Sequence, residues 1–103
     1  MGVRSWRNNA PAIWAERVVV GTTPIPLSAG NIICDNVNIK ADKENTGNIF
    51  VGPQGLLSAA GANRFILYPS EGLADMRVNQ LSVVWVVASV ADQVLWVYAE
   101  LPE

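Results

Sequence analysis

From residue 15 to the C-terminus, no stretch of this chain runs far without a breaker. Glycine, proline or a cluster of Asn, Asp and Ser interrupts it roughly every ten residues. The segments between are rich in Val, Ile, Trp and Tyr, which suit a pleated, half-buried surface. None carries a long stripe at the helical period. These features confine the chain to an all-β architecture: an antiparallel β-sandwich, or a small jelly-roll-like barrel of about eight short strands.

The strands read as follows. ERVVVG opens the series. TTPIPLS carries prolines at 24 and 26, so it suits an edge strand or an extended connection. DNVNIKA alternates, with Val37, Ile39 and Ala41 on one side and Asn36, Asn38 and Lys40 on the other, as a strand with one wet face does. IFV, RFILY and ADMRVN follow, then LSVVWVVAS and QVLWVYAEL, with SVADQ reading as the link of a terminal hairpin.

The glycines of NTGNIFVGPQG have the opening spacing of a phosphate-binding loop. That loop needs Lys and a hydroxyl after its last glycine, and here Pro53 and Gln54 follow Gly52. Ile49, Phe50 and Val51 between the glycines are strand formers, so the segment reads as a short strand bracketed by turns.

The last two segments are apolar on both faces. Val83, Trp85 and Val87 alternate with Val84, Val86 and Ala88; Val94, Trp96 and Tyr98 alternate with Leu95, Val97 and Ala99. A sandwich of this size leaves one face of each strand in water, so something must cover the second face. The cover is either another part of the same chain or a partner subunit. On the second reading Val84, Trp85, Val86, Trp96 and Tyr98 form a subunit interface.

Residues 1–14 show neither strand alternation nor a helical stripe, and Pro11 breaks a helix. They read as an extended arm ahead of a single domain over 15–103. Arg4, Trp6, Arg7 and Trp14 have the composition of interface anchors and are the candidate partner-binding residues.

Chemistry finds little purchase here. The chain has 103 residues, no histidine and one cysteine, Cys34, which excludes a Cys–His nucleophile and an intramolecular disulfide. The carboxylate pairs Asp42/Glu44 and Glu71/Asp75 lie in polar turn regions, where charges are solvated. No catalytic, cofactor or metal site is expected. A net charge of −2 predicts no general attraction to nucleic acid. No run approaches the roughly 18 apolar residues of a membrane helix, and no signal peptide is visible, so manufacture in a reducing cytoplasm is expected.

The order VNIKAD, NTGNIFVGPQGL, FILYPSEGLADMRV, NQLSVVWVVAS and ADQVLWVYAE resembles a group of small β-sandwich virion proteins of tailed bacteriophages. Asn45, Thr46, Gly47, Val51 and Gly52 match their turn and strand. Leu67, Pro69 and Glu71 match a middle loop in which Ser70 stands where glycine is common. Leu81, Ser82, Trp85 and Val86 match the penultimate strand. The resemblance spans residues 37–100. It implies a non-enzymatic virion component, first of all a capsid decoration or cement protein bound to the major capsid protein. Such a protein would be assembled in the host cytoplasm and homo-oligomeric, with a trimer as first guess. A portal, neck, tail or fibre position is the alternative, and a carbohydrate-binding module using surface aromatics is a second one.

Overall fold

The computed structural model describes residues 13–28, 30, 32–54 and 64–101. Eight strands are formed: β1 Ile13–Val20, β2 Ile25–Pro26, β3 Asn36–Ala41, β4 Ile49–Gly52, β5 Phe65–Leu67, β6 Gly72–Met76, β7 Trp85–Ala88 and β8 Gln93–Glu100. A 3-10 turn, Leu81–Val83, precedes β7.

The strands form two four-stranded sheets, ordered β1-β8-β3-β6 and β2-β7-β4-β5, and every pairing is antiparallel. We refer to them as the β8 sheet and the β7 sheet, after a central strand of each. The pairs β1·β8, β2·β7, β3·β6 and β4·β5 are nested, as if one long hairpin had been doubled at β4–β5 and wrapped into a sandwich. The wrap adds β3·β8 and β4·β7. This is jelly-roll order, one of the two architectures expected.

The core follows from period-two alternation. Val37, Ile39 and Ala41 of β3, Leu95, Val97 and Ala99 of β8, Ile49 and Val51 of β4, and Val86 and Ala88 of β7 are all buried. They fill the space between two sheets that pack roughly 10 Å apart. Val20, Leu27, Cys34, Leu67, Leu81 and Val84 complete the same cluster.

Three expectations need correction. The last two strands are not a hairpin: β7 pairs with β2 and β4, β8 with β1 and β3, and the link between them crosses from one sheet to the other. A span of about 10 Å is within reach of four residues at about 3.3 Å each, and Asp92 takes a left-handed φ of 62° on the way. Second, Val84 and Val86 face the core, at 7% and 0% exposure, so neither is on offer to a partner. Third, β1 starts earlier than ERVVVG. Ile13 and Trp14 pair with Glu100 and Ala99, and Trp14 packs against the core rather than belonging to an arm. Arg4, Trp6 and Arg7 lie outside the described residues.

Candidate functional site

The turn after β3 holds the sandwich closed. Where β3 ends at Ala41, β8 still has a rung to satisfy, and Asn45 supplies it. Its Oδ1 accepts from the Val94 N–H at 2.8 Å, and its Nδ2 donates to the Val94 carbonyl at 2.9 Å. A side-chain amide thus stands in for a strand's backbone. Two residues on, the Gly47 N–H donates to Gln93 Oε1 at 2.8 Å, while Gln93 Nε2 donates to the Ala91 carbonyl at 2.9 Å and to Thr46 Oγ1 at 3.3 Å. Gln93 is 3% exposed, and these bonds let a buried amide persist. Asn48 and Ser89 exchange two more: Asn48 N–H to Ser89 Oγ and Ser89 N–H to the Asn48 carbonyl, each 2.9 Å. The Asn-Thr-Gly turn therefore anchors the link that carries the chain from β7 to β8. It is a structural latch rather than a ligand loop.

The strand residues on the outward face of the β7 sheet are apolar, with the Arg64 side chain reaching over Phe50. One row runs Pro26–Trp85–Gly52, and the next runs Val87–Phe50–Ile66. Ile66 is exposed and the others are half-buried. Two details fix the aromatics. The Trp85 indole donates to the Ser82 carbonyl at 3.0 Å, and the Arg64 guanidinium lies 4.1 Å from the centre of the Phe50 ring, a cation–π contact.

The outward face of the β8 sheet is mixed. Register sets Trp96 between Arg17 on β1 and Lys40 on β3, and Tyr98 between Ala15 and Asn38. Trp96 and Tyr98 are 46% and 40% exposed. The Trp96 indole N–H donates to Asp42 Oδ1 at 3.0 Å, and Asp42 Oδ2 accepts from the Glu44 N–H at 2.9 Å. These two bonds, the indole first, hold the Asp42 carboxyl below its usual range. An open groove of about 470 Å³ runs along this face, lined among others by Trp96, Tyr98, Arg17 and Lys40.

The five residues grouped as a subunit interface thus divide three ways. Val84 and Val86 are core, Trp85 is outside the β7 sheet, and Trp96 and Tyr98 are outside the β8 sheet, on the opposite side of the molecule. No single flat contact takes all three aromatics. Sequence reasoning missed Phe50 and Ile66 beside Trp85, and Arg17 and Lys40 beside Trp96, because only cross-strand register brings them together. Asp42, Glu44 and Glu71 lie in turns, as expected, and Glu71 accepts from the Tyr68 N–H at 3.0 Å; Asp75 instead lies in β6, where it pairs with exposed Arg77 at 3.1 Å. Among the described residues no three of His, Cys, Asp and Glu converge as metal ligands. Cys34 is buried; its thiol donates to the Val78 carbonyl at 3.2 Å, and burial, then the neighbouring Asp35, push its pKa up.

No protein-family model matches this chain, and no curated protein matches it. A solved structure from Bacillus endospore appendages, described as a novel family of disulfide-linked pili, is similar over 99% of this chain and 100% of its own, with 15% identity and a TM-score of 0.43. A likeness at that level leaves function to be argued from the residues.

Proposed function

We propose that this chain is a non-enzymatic structural protein of a tailed-phage virion, bound to the major capsid protein lattice as a decoration or cement protein. The observation that carries the reading is the apolar outward face of the β7 sheet, where Trp85, Phe50, Val87, Ile66 and Pro26 lie side by side. A contiguous apolar patch on a water-facing sheet is an interface in waiting. The resemblance over residues 37–100 supports the virion assignment. Jelly rolls build viral shells among other things, but they also host lectins and enzymes, so the fold by itself does not choose.

The mechanism is area burial across joints between capsomers. A specific contact needs roughly 800 Å² from each partner. Trp85 and Phe50, at about 150–250 Å² each when fully covered, would supply its centre. Arg4, Trp6 and Arg7 are the proposed second contact, reaching onto a neighbouring subunit.

Quantitative mass spectrometry of purified particles tests the reading, with this chain counted against the major capsid protein. A comparable count supports decoration of the whole shell. A far smaller one moves the protein to the portal, neck, tail or fibre. Absence from particles overturns the virion role. Ile66→Thr with Val87→Thr alters the docking face while leaving the core intact, and is expected to lower occupancy without lowering the melting temperature.

A further inference from the structure

We infer that the outward face of the β8 sheet is a saccharide-binding platform, with Trp96 and Tyr98 as its floor and Arg17, Lys40 and Asn38 as its rim. The inference does not depend on where the protein sits in an assembly, because this face lies opposite the apolar docking face.

The floor comes first. Trp96 and Tyr98 are two residues apart on one strand, so they lie about 7 Å apart on the same side. Both are substantially exposed, in a central strand whose neighbours on either side are already paired. The Trp96 ring is not free to turn, since Asp42 holds its N–H at 3.0 Å. A large aromatic surface fixed before binding loses little conformational entropy when a ligand settles on it. Ala15, opposite Tyr98, is small and leaves the groove open on that side. At about 470 Å³ the groove falls within the range of small-ligand sites, roughly 300–1,000 Å³.

The rim selects the chemistry. Arg17 and Lys40 flank Trp96, and neither forms an ion pair among the described residues. Asn38 Oδ1 accepts from the Asp75 N–H at 2.8 Å, which leaves the Asn38 amide hydrogens as donors. Asp42 brings ionised acceptor oxygens to the edge of the same row. The ligand must therefore offer one apolar face to the rings, and around it groups that both accept and donate hydrogen bonds. A pyranose does this: its axial C–H bonds, polarised positive, meet the negative face of an aromatic ring, and its hydroxyls serve both roles. A single carboxylate on the sugar would be welcomed by Arg17 and Lys40. A nucleic acid strand fits less well. Its bases would stack, but its phosphates would meet the Asp42 carboxylate on a chain whose net charge is −2.

The test uses the full-length chain labelled with nitrogen-15, titrated with cello-oligosaccharide, chito-oligosaccharide, oligogalacturonate and sialyllactose to about 10 mM, the weak end of the affinities such open sites reach. The expected result is a saturable shift of the Trp96 indole N–H signal, with the Trp85 indole unmoved, for at least one saccharide. Trp96→Ala should abolish binding while keeping the dispersed amide spectrum of the folded sandwich, at a melting temperature lowered by the loss of the Asp42 bond. Arg17→Gln with Lys40→Gln should weaken binding about tenfold. No saturable shift with any of the four overturns the proposal, as does binding that survives Trp96→Ala. So does tighter binding of oligo-thymidylate or a polyglutamate peptide, which would make the face a nucleic-acid or protein contact. None of these outcomes bears on particle occupancy, so failure here leaves the virion reading standing, and the reverse holds too.

Discussion

Replacing Asn45 with alanine removes the amide that continues the ladder of β8. Two hydrogen bonds go, at 2.8 and 2.9 Å, both to the half-buried Val94 backbone. Each is worth about 1 kcal/mol net, and a backbone N–H left without a partner adds a desolvation penalty. The expected loss is ~2–3 kcal/mol, which for a domain of this size lowers the melting temperature by about 10–20 °C. Asn45→Asp separates hydrogen bonding from mere loss of packing. At neutral pH the new carboxylate still accepts from the Val94 N–H but faces the Val94 carbonyl with no proton to give. Protonation restores the donor, so the folded state raises this carboxyl's pKa. Stability from a raised pKa is fully present below the unfolded value, about 4, and is lost as pH rises through the folded one. The deficit of Asn45→Asp, measured against the parent by urea denaturation with tryptophan fluorescence, should therefore shrink as pH falls towards 4. The deficit of Asn45→Ala should show no such recovery. A loss below about 0.5 kcal/mol for Asn45→Ala would refute the latch, and so would a pH-independent deficit for Asn45→Asp.

Ser70 takes a φ of 75°, a region where a side chain is strained. Ser70→Gly is expected to raise stability by up to about 1 kcal/mol in the same urea assay, while Ser70→Val lowers it. A Cβ on Gly72 would stand 2.5 Å from the Ile39 carbonyl oxygen, a backbone atom that cannot swing aside. Gly72→Ala should therefore lose about 1–3 kcal/mol, read as a lower urea midpoint at unchanged slope. The depressed pKa of Asp42 means that its contact with Trp96 is present above the unfolded pKa and is lost only as pH falls through the lower folded value. The Trp96 indole N–H resonance should accordingly titrate below the ordinary aspartate range, and titration within that range would contradict the contact.

Much of the fold was legible one strand at a time. Val37, Ile39 and Ala41 were readable as buried because alternation over six residues leaves one assignment of faces. The prolines at 24 and 26 marked an edge strand or connection, and β2, which holds Pro26, is an edge. Ser70, noted as standing where glycine is common, proves to be a left-handed residue, which supplies the backbone reason. Partner choice was not legible, because period-two alternation says that a segment is a strand but not which strand lies beside it. The four residues between β7 and β8 suit a hairpin and a crossing equally well. Register hid the candidate sites too: Arg17, Trp96 and Lys40 come from three distant segments and meet only once β8 has slotted between β1 and β3.

That insertion also explains why the last two strands are apolar on both faces. In nested order β8 must lie between β1 and β3, and β7 between β2 and β4, so both are central strands. Their inward residues, Leu95, Val97 and Ala99 on one and Val86 and Ala88 on the other, meet in the core. Their outward residues have no such obligation, and a merely structural central strand would carry polar groups there, as Asn36, Asn38 and Lys40 do on β3. Trp85 and Val87 on one outside, and Trp96 and Tyr98 on the other, are therefore not needed by the sandwich itself. Had β7 and β8 paired as a hairpin, both sets would have shared one sheet and one partner would have covered them. Because the link crosses, they face opposite ways and sit among different neighbours: Phe50, Ile66 and Pro26 around Trp85, Arg17 and Lys40 around Trp96. The physical consequence is two surfaces with separate chemistries, so substitutions at Ile66 and Val87 are expected to be independent in effect from substitutions at Trp96 and Lys40.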